Sequence, residues 1–381
     1  MINKKLVFVV NVDWFFISHR LPIALEAISN GYEVHLICKD TGLKSKLTDY
    51  GIICHDIRFS RSGNKVSHEI KTLLSIREVI QKISPDLIHA VTIKPVIYIG
   101  LILHTLKQKP CFIAAISGLG YVFSATNIRA RVTKLLVSVL YKTAFIHRDK
   151  MIIFQNSTDD NILSRVVGLN RSDKSLIKGS GADLGVYDFS SEPEGKVIKI
   201  IMACRLLKEK GVFEYVEAAK IVHTKFNNIQ FLLAGTPDLD NPNSVTQAEL
   251  DMWDSEGVVK ALGYRVDIPQ LFSESHIVTM PSYYGEGVPK VLIEAAACGR
   301  PIVTTDNPGC RDSVISDVTG KLVPIKNHKA LAKAFIELIE DEELRKSMGM
   351  KGREYAVQEF DVKFVVDKHL DIYSKLLSKV K

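Results

Sequence analysis

Short apolar runs, most of them rich in β-branched residues, alternate along the chain with longer segments in which apolar residues recur every three or four positions. In the first half the short runs are Leu6 to Val12, Glu33 to Cys38, Leu87 to Val91, Phe112 to Ile116, Met151 to Phe154, and Leu176 to Ile177. The rhythm then restarts with Val197 to Ala203, Ile229 to Ala234, His276 to Met280, Ile302 to Thr305, and Lys321 to Val323. Strands separated by helical segments predict parallel sheets joined by right-handed crossovers, so the fold class is predicted to be α/β with two Rossmann-like, doubly wound domains.

The boundary between the halves is predicted at Ser190 to Gly195, a polar, turn-rich segment directly before the first strand of the second half. Apolar residues at helical spacing from Val362 to Val380 predict a terminal amphipathic helix. The predicted parts are therefore residues 1–190, residues 191–361, and a helix over residues 362–381. Ligands of such sheets bind beyond the carboxyl ends of the strands, so chemistry is expected in the loops that follow strands.

The 381 residues are 46% apolar and 24% charged, which fits a globular protein of two domains. No segment reaches the roughly 20 uninterrupted apolar residues that a membrane span requires. The run Leu6 to Val10 is followed at once by Asn11 and Asp13, which favours a first β-strand over a signal peptide. Six dispersed cysteines, none in a Cys-x-x-Cys pair, indicate reduced thiols. We therefore expect a cytoplasmic protein.

Positive charge is concentrated in the first half. Residues 1–190 hold 25 Lys and Arg against 15 Asp and Glu, whereas residues 191–381 hold 25 against 28. A basic half suggests anionic lipid, phosphorylated lipid or nucleic acid as partner, although a merely solvated basic surface has the same composition. No array of stacking aromatic and basic residues recurs in this half, so nucleic acid is not an expected partner.

The segment from Tyr284 to Pro301 carries the most specific chemical pattern. Its sequence is Tyr-Gly-Glu-Gly-Val-Pro-Lys-Val-Leu-Ile-Glu-Ala-Ala-Ala-Cys-Gly-Arg-Pro, and it follows a predicted strand. Pro289 suits the first turn of a helix, where its missing N–H is no loss. The glycines beside Glu286 leave backbone N–H groups approachable at the helix start, where the helix dipole favours an anion. Glu286 and Glu294 are spaced so that two carboxylates can accept from hydroxyls at opposite ends of one ligand.

Two further loops in the second half follow predicted strands. Arg205 and Lys210 flank a loop before a predicted helix from Val212 to Val222, and two cations at such a junction can neutralise a diphosphate. The segment Ala261 to Pro269 is predicted to be a turn, in which an aromatic base can pack and backbone amides can read its edge. The relevant residues of that turn are Gly263, Tyr264 and Arg265.

Together these elements resemble the family four glycosyltransferases, whose GT-B fold has two Rossmann-like domains facing a central cleft. Glu286 and Glu294 form a Glu-x7-Glu pattern within Glu-Gly-x-Pro-x-x-Leu-x-Glu-Ala. The Arg-Leu-x-x-x-Lys-Gly element at Arg205, the Leu-Gly-Tyr-Arg turn at Leu262 and the Gly-x-Asp at Gly181 occur in the family's order. The resemblance spans essentially the whole chain and includes bacterial enzymes of lipid-linked O-antigen, capsule and glycan assembly.

The resemblance implies a role for each motif. It makes Glu286, Arg205 and Lys210 catalytic, with the carboxylate on the donor sugar and the two cations on the donor diphosphate. It makes the following residues substrate-binding: Glu294 on the ribose hydroxyls, Gly287, Val288 and Pro289 at the sugar or phosphate, and Gly263, Tyr264 and Arg265 around the base. It also implies that residues 1–190 bind the acceptor, that residues 191–361 bind the nucleotide sugar, and that the final helix crosses back to the first domain.

The predicted reaction is a metal-independent transfer, with retention of configuration, of a sugar from a nucleotide diphosphate to a membrane-associated, polyprenyl-diphosphate-linked glycan. The resemblance favours UDP-hexose or UDP-N-acetylhexosamine as co-substrate, with no other cofactor. Breaking the anomeric bond builds negative charge on the diphosphate, and two cations with a helix N-terminus can stabilise that charge without a metal. Such an enzyme is expected to be peripheral at the inner face of the cytoplasmic membrane.

The first half departs from the family in two loops. The loop after the first strand lacks the glycines that many members have. Its aromatic residues, Trp14 to Phe16, either belong to the core or contact the acceptor. His19 and Arg20 in the same loop are predicted acceptor contacts. After the strand that ends at Ile116, Ser117 and Gly118 stand where relatives often have His-Gly, and both are predicted substrate contacts. His89, nearby in sequence, is interpreted as a core residue.

A basic amphipathic helix is predicted from Ile128 to Ile146. One face is apolar, with Val132, Leu135, Leu136, Val139 and Leu140. The predicted membrane contacts on and beside the other face are Arg129, Arg131, Lys134 and Lys142. Such a helix can lie in the interface of an anionic bilayer, and a helix packed on its own sheet has the same pattern.

Three alternatives remain open at this point. Asp238-Leu239-Asp240 follows a strand, and an Asp-x-Asp can hold a divalent cation against a nucleotide diphosphate, although an ordinary polar loop is preferred and no metal site is expected. A UDP-sugar 2-epimerase has the same fold, but no acid/base pair for the sugar ring is evident. A nucleotide-sugar-binding subunit without turnover is compatible with the missing histidine.

Overall fold

The computed structural model describes residues 4–59, 66–120, 128–238 and 241–379. The chain divides into two compact units, the first comprising Met1–Ser180 with Lys363–Lys381 and the second comprising Gly181–Val362. Each unit contains one parallel sheet. The α/β class and the two Rossmann-like sheets that the hydrophobic pattern predicts are therefore confirmed.

The sheet of the first unit has seven strands in the order β3-β2-β1-β4-β5-β6-β7. They are β1 (Lys5–Val12), β2 (Glu33–Lys39), β3 (Ile53–Asp56), β4 (Leu87–Val91), β5 (Cys111–Ile116), β6 (Lys150–Phe154) and β7 (Lys174–Leu176). The helices are α1 (Asp13–His19), α2 (Leu21–Ser29), α3 (Lys44–Asp49), α4 (Val66–Ile83), α5 (Ile93–Leu103), α6 (Ile128–Ala144) and α7 (Ser157–Val167). The central strands are buried along their length, which is why their sequences are continuous apolar runs rather than alternating ones.

The sheet of the second unit has six strands in the order β10-β9-β8-β11-β12-β13. They are β8 (Ile198–Ala203), β9 (Ile229–Ala234), β10 (Lys260–Gly263), β11 (Ile277–Met280), β12 (Ile302–Thr305) and β13 (Gly320–Val323). Its helices are α8 (Val212–His223), α9 (Gln247–Ser255), α10 (Ile268–Ser273), α11 (Lys290–Ala297), α12 (His328–Glu340) and α13 (Glu342–Glu359). The last helix, α14 (Val362–Lys379), belongs to the first unit from Lys363 onward. In both sheets the strand order reverses next to the first strand of the unit, which creates a switch point there.

Three elements differ from the prediction. Strands β3 and β10 are edge strands, and the hydrophobic pattern misses them because edge strands with mixed exposure lack a continuous apolar run. The segment after β1 is not a loop but helix α1. Its first residue, Asp13, is buried, and its carboxylate accepts from the backbone N–H and the hydroxyl of Thr41, both at 2.6 Å.

The boundary between the units lies at Ser180, ten residues before the predicted position at residue 190. Three arginines of the second unit hold the intervening segment. Arg353 donates to the carbonyl of Tyr187 at 3.0 Å, Arg300 to that of Ser190 at 2.8 Å, and Arg345 forms two hydrogen bonds of 2.7 Å with the carboxylate of Glu192. Polar composition predicts a linker, but these hydrogen bonds anchor the segment to the second unit.

Candidate active site

The loops that follow β8, β11 and β12 approach one another closely at the carboxyl edge of the second sheet. A Cβ atom at Gly211 would lie 2.2 Å from the carbonyl oxygen of Pro281, and one at Gly309 would lie 1.6 Å from that of Gly287. Both glycines have positive φ, 84° and 83°. Only glycine fits positions where one backbone passes this close to another. Gly211 and Gly309 therefore allow the three loops to pack against one another.

Lys210 and Glu286 meet in this cluster of loops. Lys210 Nζ lies 2.5 Å from Glu286 Oε1, and the two side chains are 14% and 15% exposed. Burial acts to lower the pKa of Lys210, but the charge and hydrogen bond of Glu286 outweigh it and raise that pKa above its usual value. Lys210 is therefore a fixed cation in the site.

Arg205 is the exposed member of the group and lies in the loop after β8. The charges of Lys210, Glu286 and Arg205 all act on the thiol of Cys204, whose pKa is raised to about 12, chiefly by burial. Cys204 therefore remains a neutral thiol. The structure thus brings Lys210 and Glu286 into direct contact, and Arg205 lies in the same loop as Lys210, after β8.

Residues that sequence reasoning missed orient the Glu286 carboxylate. Ser282 is fully buried, and its Oγ lies 3.0 Å from Glu286 Oε1 and 3.0 Å from the carbonyl oxygen of Glu209. Two side chains from the end of β12 and the loop after it, Thr305 and Asn307, donate to the carbonyls of Ser282 and Tyr284 respectively. Their position at strand ends is the one feature of the sequence that points to them.

Glu294 lies in α11, where it is 6% exposed. Lys290 Nζ is 3.1 Å from Glu294 Oε1, and the hydroxyl of Tyr187 also hydrogen-bonds to the carboxylate. Burial raises the pKa of Glu294, and the interactions with Lys290 and Tyr187 only partly offset it. A buried carboxylate of this kind has the capacity to accept hydrogen bonds from ligand hydroxyls.

The start of α11 differs slightly from the prediction. Pro289 is the residue before the helix rather than part of its first turn, with ψ at 124°, and its carbonyl accepts from the N–H of Leu292 at 3.1 Å. Within the described residues, no group accepts from the N–H of Gly287 or Val288. Both amides lie directly before the helix, where free N–H groups and the helix dipole favour an anion.

The segment predicted to be a turn around a base is partly a strand, since β10 extends to Gly263. The N–H of Gly235, after β9, donates to the carbonyl of Gly263 at 2.8 Å, and this bond ties the end of β10 to the neighbouring loop. Tyr264 is 77% exposed, and Arg265 forms a two-point ion pair with Asp267. The aromatic ring is therefore accessible, whereas the Arg265 guanidinium is engaged by a carboxylate.

Arg20, a predicted acceptor contact, does not reach solvent. Its side chain is 2% exposed, one of its terminal nitrogens donates to the carbonyl of His19 at 2.8 Å, and burial lowers its pKa to about 10. His19 stacks on Phe15 with ring centroids 4.3 Å apart. His89 is fully buried, as predicted, and its Nδ1 lies 2.6 Å from the hydroxyl of Tyr373 in α14. Arg20 directly follows α1 and its side chain is buried within the unit, so the structure does not expose it for the predicted acceptor contact.

Ser117 and Gly118 lie directly after β5, and both are half-buried. Gly118 has φ at 104°. Within the described ranges, no three His, Cys, Asp or Glu side chains are grouped so that they could bind a metal ion. Asp240 of the Asp-x-Asp pattern lies outside the described residues.

Helix α6 turns its apolar face to solvent. Val132, Leu135, Leu136 and Val139 are between 52% and 68% exposed. The helix packs instead through Tyr141 and Ala144, the latter against Gly100 of α5. Arg131 and Lys142 are exposed and Lys134 is half-buried, whereas the side chain of Arg129 lies outside the described residues. Four of the five residues predicted on the apolar face are therefore exposed, whereas Leu140 is half-buried against the core of the first unit.

Gly309→Ala is expected to abolish activity while leaving most of the second unit folded. The added methyl would overlap the carbonyl of Gly287, and a non-glycine residue at φ 83° is itself strained, so the loop that carries Glu286 must move. We expect at least about a hundredfold loss of turnover, since displacements of about 1 Å in an active site have that effect. Circular dichroism and transfer assays test this. Gly257→Ala, which has φ at 69° but nothing within 4 Å, is the matched control and should keep its activity.

Comparison with known proteins bears on the fold and the family. Two protein-family models match the chain. The family described as Glycosyl transferases group 1 matches residues 186–355, and the family described as Glycosyl transferase 4-like matches residues 5–156. The N,N'-diacetylbacillosaminyl-diphospho-undecaprenol alpha-1,3-N-acetylgalactosaminyltransferase of Campylobacter jejuni is 28% identical over 385 residues, which cover 96% of this chain and 99% of the relative. The UDP-Gal:alpha-D-GlcNAc-diphosphoundecaprenol alpha-1,3-galactosyltransferase of Escherichia coli is 24% identical, with 90% of this chain and 89% of the relative covered.

A solved structure agrees with the fold. The sucrose-phosphate synthase from Thermosynechococcus elongatus matches with a TM-score of 0.81 at 17% identity, covering 99% of this chain and 100% of the other. The predicted GT-B fold is thereby confirmed.

Proposed function

We propose the function from one premise: the chain belongs to the group 1 glycosyltransferases. On that premise it transfers a sugar from a nucleotide diphosphate, most simply UDP, to a glycan carried on a polyprenyl diphosphate. The observation that carries this proposal is the contact of Lys210 with Glu286, 2.5 Å apart, with the amides of Gly287 and Val288 directly after Glu286 in the chain. Cations, free N–H groups and a carboxylate are the groups that a sugar diphosphate requires, and this supports the proposal.

In the proposed reaction the bond between the anomeric carbon and the diphosphate oxygen breaks, and a bond from that carbon to an acceptor hydroxyl oxygen forms. The acceptor proton leaves with the nucleotide diphosphate. Negative charge grows on the departing diphosphate, where Lys210, Arg205 and the amides of Gly287 and Val288 stabilise it. Glu286, oriented by Ser282, accepts from a hydroxyl of the donor sugar. None of these steps routes charge through a metal ion.

The relatives support the substrate classes in this proposal. The Campylobacter jejuni relative is named for an undecaprenyl-diphosphate-linked acceptor, and the Escherichia coli relative for a UDP-sugar and an acceptor of the same class. Both are named for α-linked products. Because the sugar in UDP-galactose is itself α-linked to the diphosphate, an α product corresponds to retention, and we propose the same outcome here.

The test is incubation of the pure protein with a panel of UDP-, GDP- and ADP-sugars and an undecaprenyl-diphosphate-linked sugar, with EDTA throughout. We expect transfer from one UDP-sugar, and an anomeric coupling constant in the product that matches the donor. Transfer that occurs only after a divalent metal is restored would overturn metal independence. Nucleotide-sugar binding with no transfer to any acceptor would favour a binding subunit.

Helix α6 supports a second part of the proposal, which is that the first unit docks on an anionic membrane. No helix within the described ranges is long and apolar enough to cross a bilayer. The exposed stripe Val132 to Val139 nevertheless offers apolar surface to lipid, with Arg131 and Lys142 exposed on the same helix. An amphipathic helix with this arrangement lies in the interface of an anionic bilayer. Such docking would bring the enzyme to a lipid-linked acceptor at the inner membrane face.

Arg131→Ala together with Lys142→Ala is expected to weaken binding to phosphatidylglycerol vesicles by about tenfold or more, because each basic residue near an anionic surface contributes about 1 kcal/mol. Vesicle flotation at two salt concentrations measures the effect. The matched control is Lys220→Ala with Lys346→Ala, two exposed lysines of the second unit, which alters net charge equally. Equal losses in the two double variants would show that total charge, not α6, determines binding.

A further inference from the structure

Three polar residues lie at the carboxyl edge of the first sheet, at the ends of neighbouring strands. Asn11 lies near the end of β1, Thr92 directly after β4, and Ser117 directly after β5, and these strands are neighbours. Asn11 Nδ2 donates to Thr92 Oγ1 at 2.9 Å, and the N–H of Thr92 donates to the carbonyl of Ala115 in β5 at 3.1 Å. The strand order reverses between β1 and β4, and ligands of α/β proteins bind at such a switch point.

Thr92 is held in a strained conformation. Its φ is 74° and its ψ is 167°, a region that is essentially restricted to glycine. The other positive-φ residues in the described ranges that are not glycine have φ between 51° and 61°, close to the left-handed helical region. A β-branched residue in this conformation is costly, and strain of this kind persists mainly at functional sites.

Two atoms of the cluster lack partners. Asn11 Oδ1 and Ser117 Oγ are shielded from solvent, and neither has a hydrogen-bond partner within the described part of the chain. Buried polar atoms are nearly always paired, so each unpaired atom requires an explanation. The asparagine oxygen only accepts, whereas the serine hydroxyl donates and accepts. A ligand hydroxyl can donate to the first and pair with the second, so it can satisfy both.

We propose that Asn11, Thr92 and Ser117 form a sugar-hydroxyl subsite in the first unit. Asn11 Oδ1 accepts from a ligand hydroxyl, Ser117 Oγ pairs with the same or the adjacent hydroxyl, and the strained Thr92 orients the Asn11 amide through its own hydroxyl. The N-terminus of α5, which begins at Ile93, adds backbone N–H groups at this edge. The inference rests on the proposed function, because a sugar hydroxyl comes from either the acceptor glycan or the donor sugar.

The key variant is Thr92→Gly, because glycine adopts this conformation without strain while the hydroxyl is lost. The matched control is Ser84→Gly. Ser84 also has positive φ, 51°, and its hydroxyl donates to the carbonyl of Gln81 at 3.1 Å, but it precedes the amino end of β4 at the opposite edge of the sheet. Thr92→Gly should therefore not lower the Tm more than Ser84→Gly does. Ser117→Ala removes an unpaired hydroxyl and is expected to keep or raise the Tm.

The expected result is that Asn11→Ala, Thr92→Gly and Ser117→Ala each raise the KM of one substrate by about tenfold, the effect of one lost hydrogen bond, while Ser84→Gly leaves it unchanged. The same substrate should be affected in all three variants. An increase confined to the UDP-sugar assigns the subsite to the donor, and one confined to the undecaprenyl-diphosphate glycan assigns it to the acceptor.

Calorimetric binding provides a readout that needs no turnover. The probes are UDP-N-acetylglucosamine compared with UDP, and an undecaprenyl-diphosphate disaccharide in detergent micelles. Unchanged affinities for both probes in Asn11→Ala and Thr92→Gly would overturn the subsite. It would also be overturned if binding weakened only in variants whose Tm is lowered. Failure of the wild-type protein to transfer any sugar would instead overturn the proposed function, and the two failures are therefore distinguishable.

Discussion

Glu286→Gln is expected to lower kcat by about a hundredfold to a thousandfold, the usual effect of removing one preorganised group from an active site. The amide keeps the size of the side chain and an oxygen that can accept from Ser282, but it loses the negative charge that pairs with Lys210. The same change should leave UDP binding equal or tighter, because a carboxylate near the diphosphate repels it and its removal frees Lys210. Initial-rate kinetics and calorimetry with UDP measure the two effects separately.

The control for this variant is Glu337→Gln. Glu337 also lies 2.5 Å from a lysine, Lys321, but the pair is in another part of the second unit and its carboxylate is 45% exposed. Turnover by this control should equal that of the wild type. If Glu286→Gln instead weakened UDP binding and left kcat unchanged, the carboxylate would be a binding or structural group, and the role assigned to it would be wrong.

Lys210→Ala is expected to weaken UDP binding by about a hundredfold and to reduce transfer at least as much, since the loss of one partner of a buried charged contact commonly costs 2–5 kcal/mol. Two effects combine in this variant. The diphosphate loses its least exposed cation, and the Glu286 carboxylate, 15% exposed, loses the cation that lies 2.5 Å from it. Binding at physiological ionic strength and single-turnover transfer measure the effect, and Arg205→Ala should have a smaller one because Arg205 is exposed.

Lys321→Ala is the matched control, because Lys321 is likewise 14% exposed and lies 2.5 Å from a glutamate. It should bind UDP as the wild type does, with at most a lower Tm. UDP affinity within twofold of the wild type in Lys210→Ala would remove Lys210 from the diphosphate site. A parallel loss of affinity in both lysine variants would indicate a general effect of charge or stability.

The sequence by itself determined the α/β class, the restart of the strand pattern and the location of the Glu286 loop before α11. These features are local: parallel strands buried on both faces require continuous apolar runs, and a helix that starts after Pro289 and stops at Gly299 is specified by neighbouring residues. Edge strands β3 and β10 escaped prediction because one exposed side removes the need for such a run.

Only the tertiary structure decided which side chains meet. Lys210 and Glu286 are 76 residues apart in the sequence. Thr305 and Asn307, which support the loop bearing Glu286 through hydrogen bonds to its backbone, come from the end of a different strand. The same holds for burial. Composition makes Arg20 a surface residue, and periodicity leaves the apolar face of α6 undecided between sheet and solvent. Long-range packing buries the first and exposes the second, because a side chain's environment depends on what the rest of the chain places beside it.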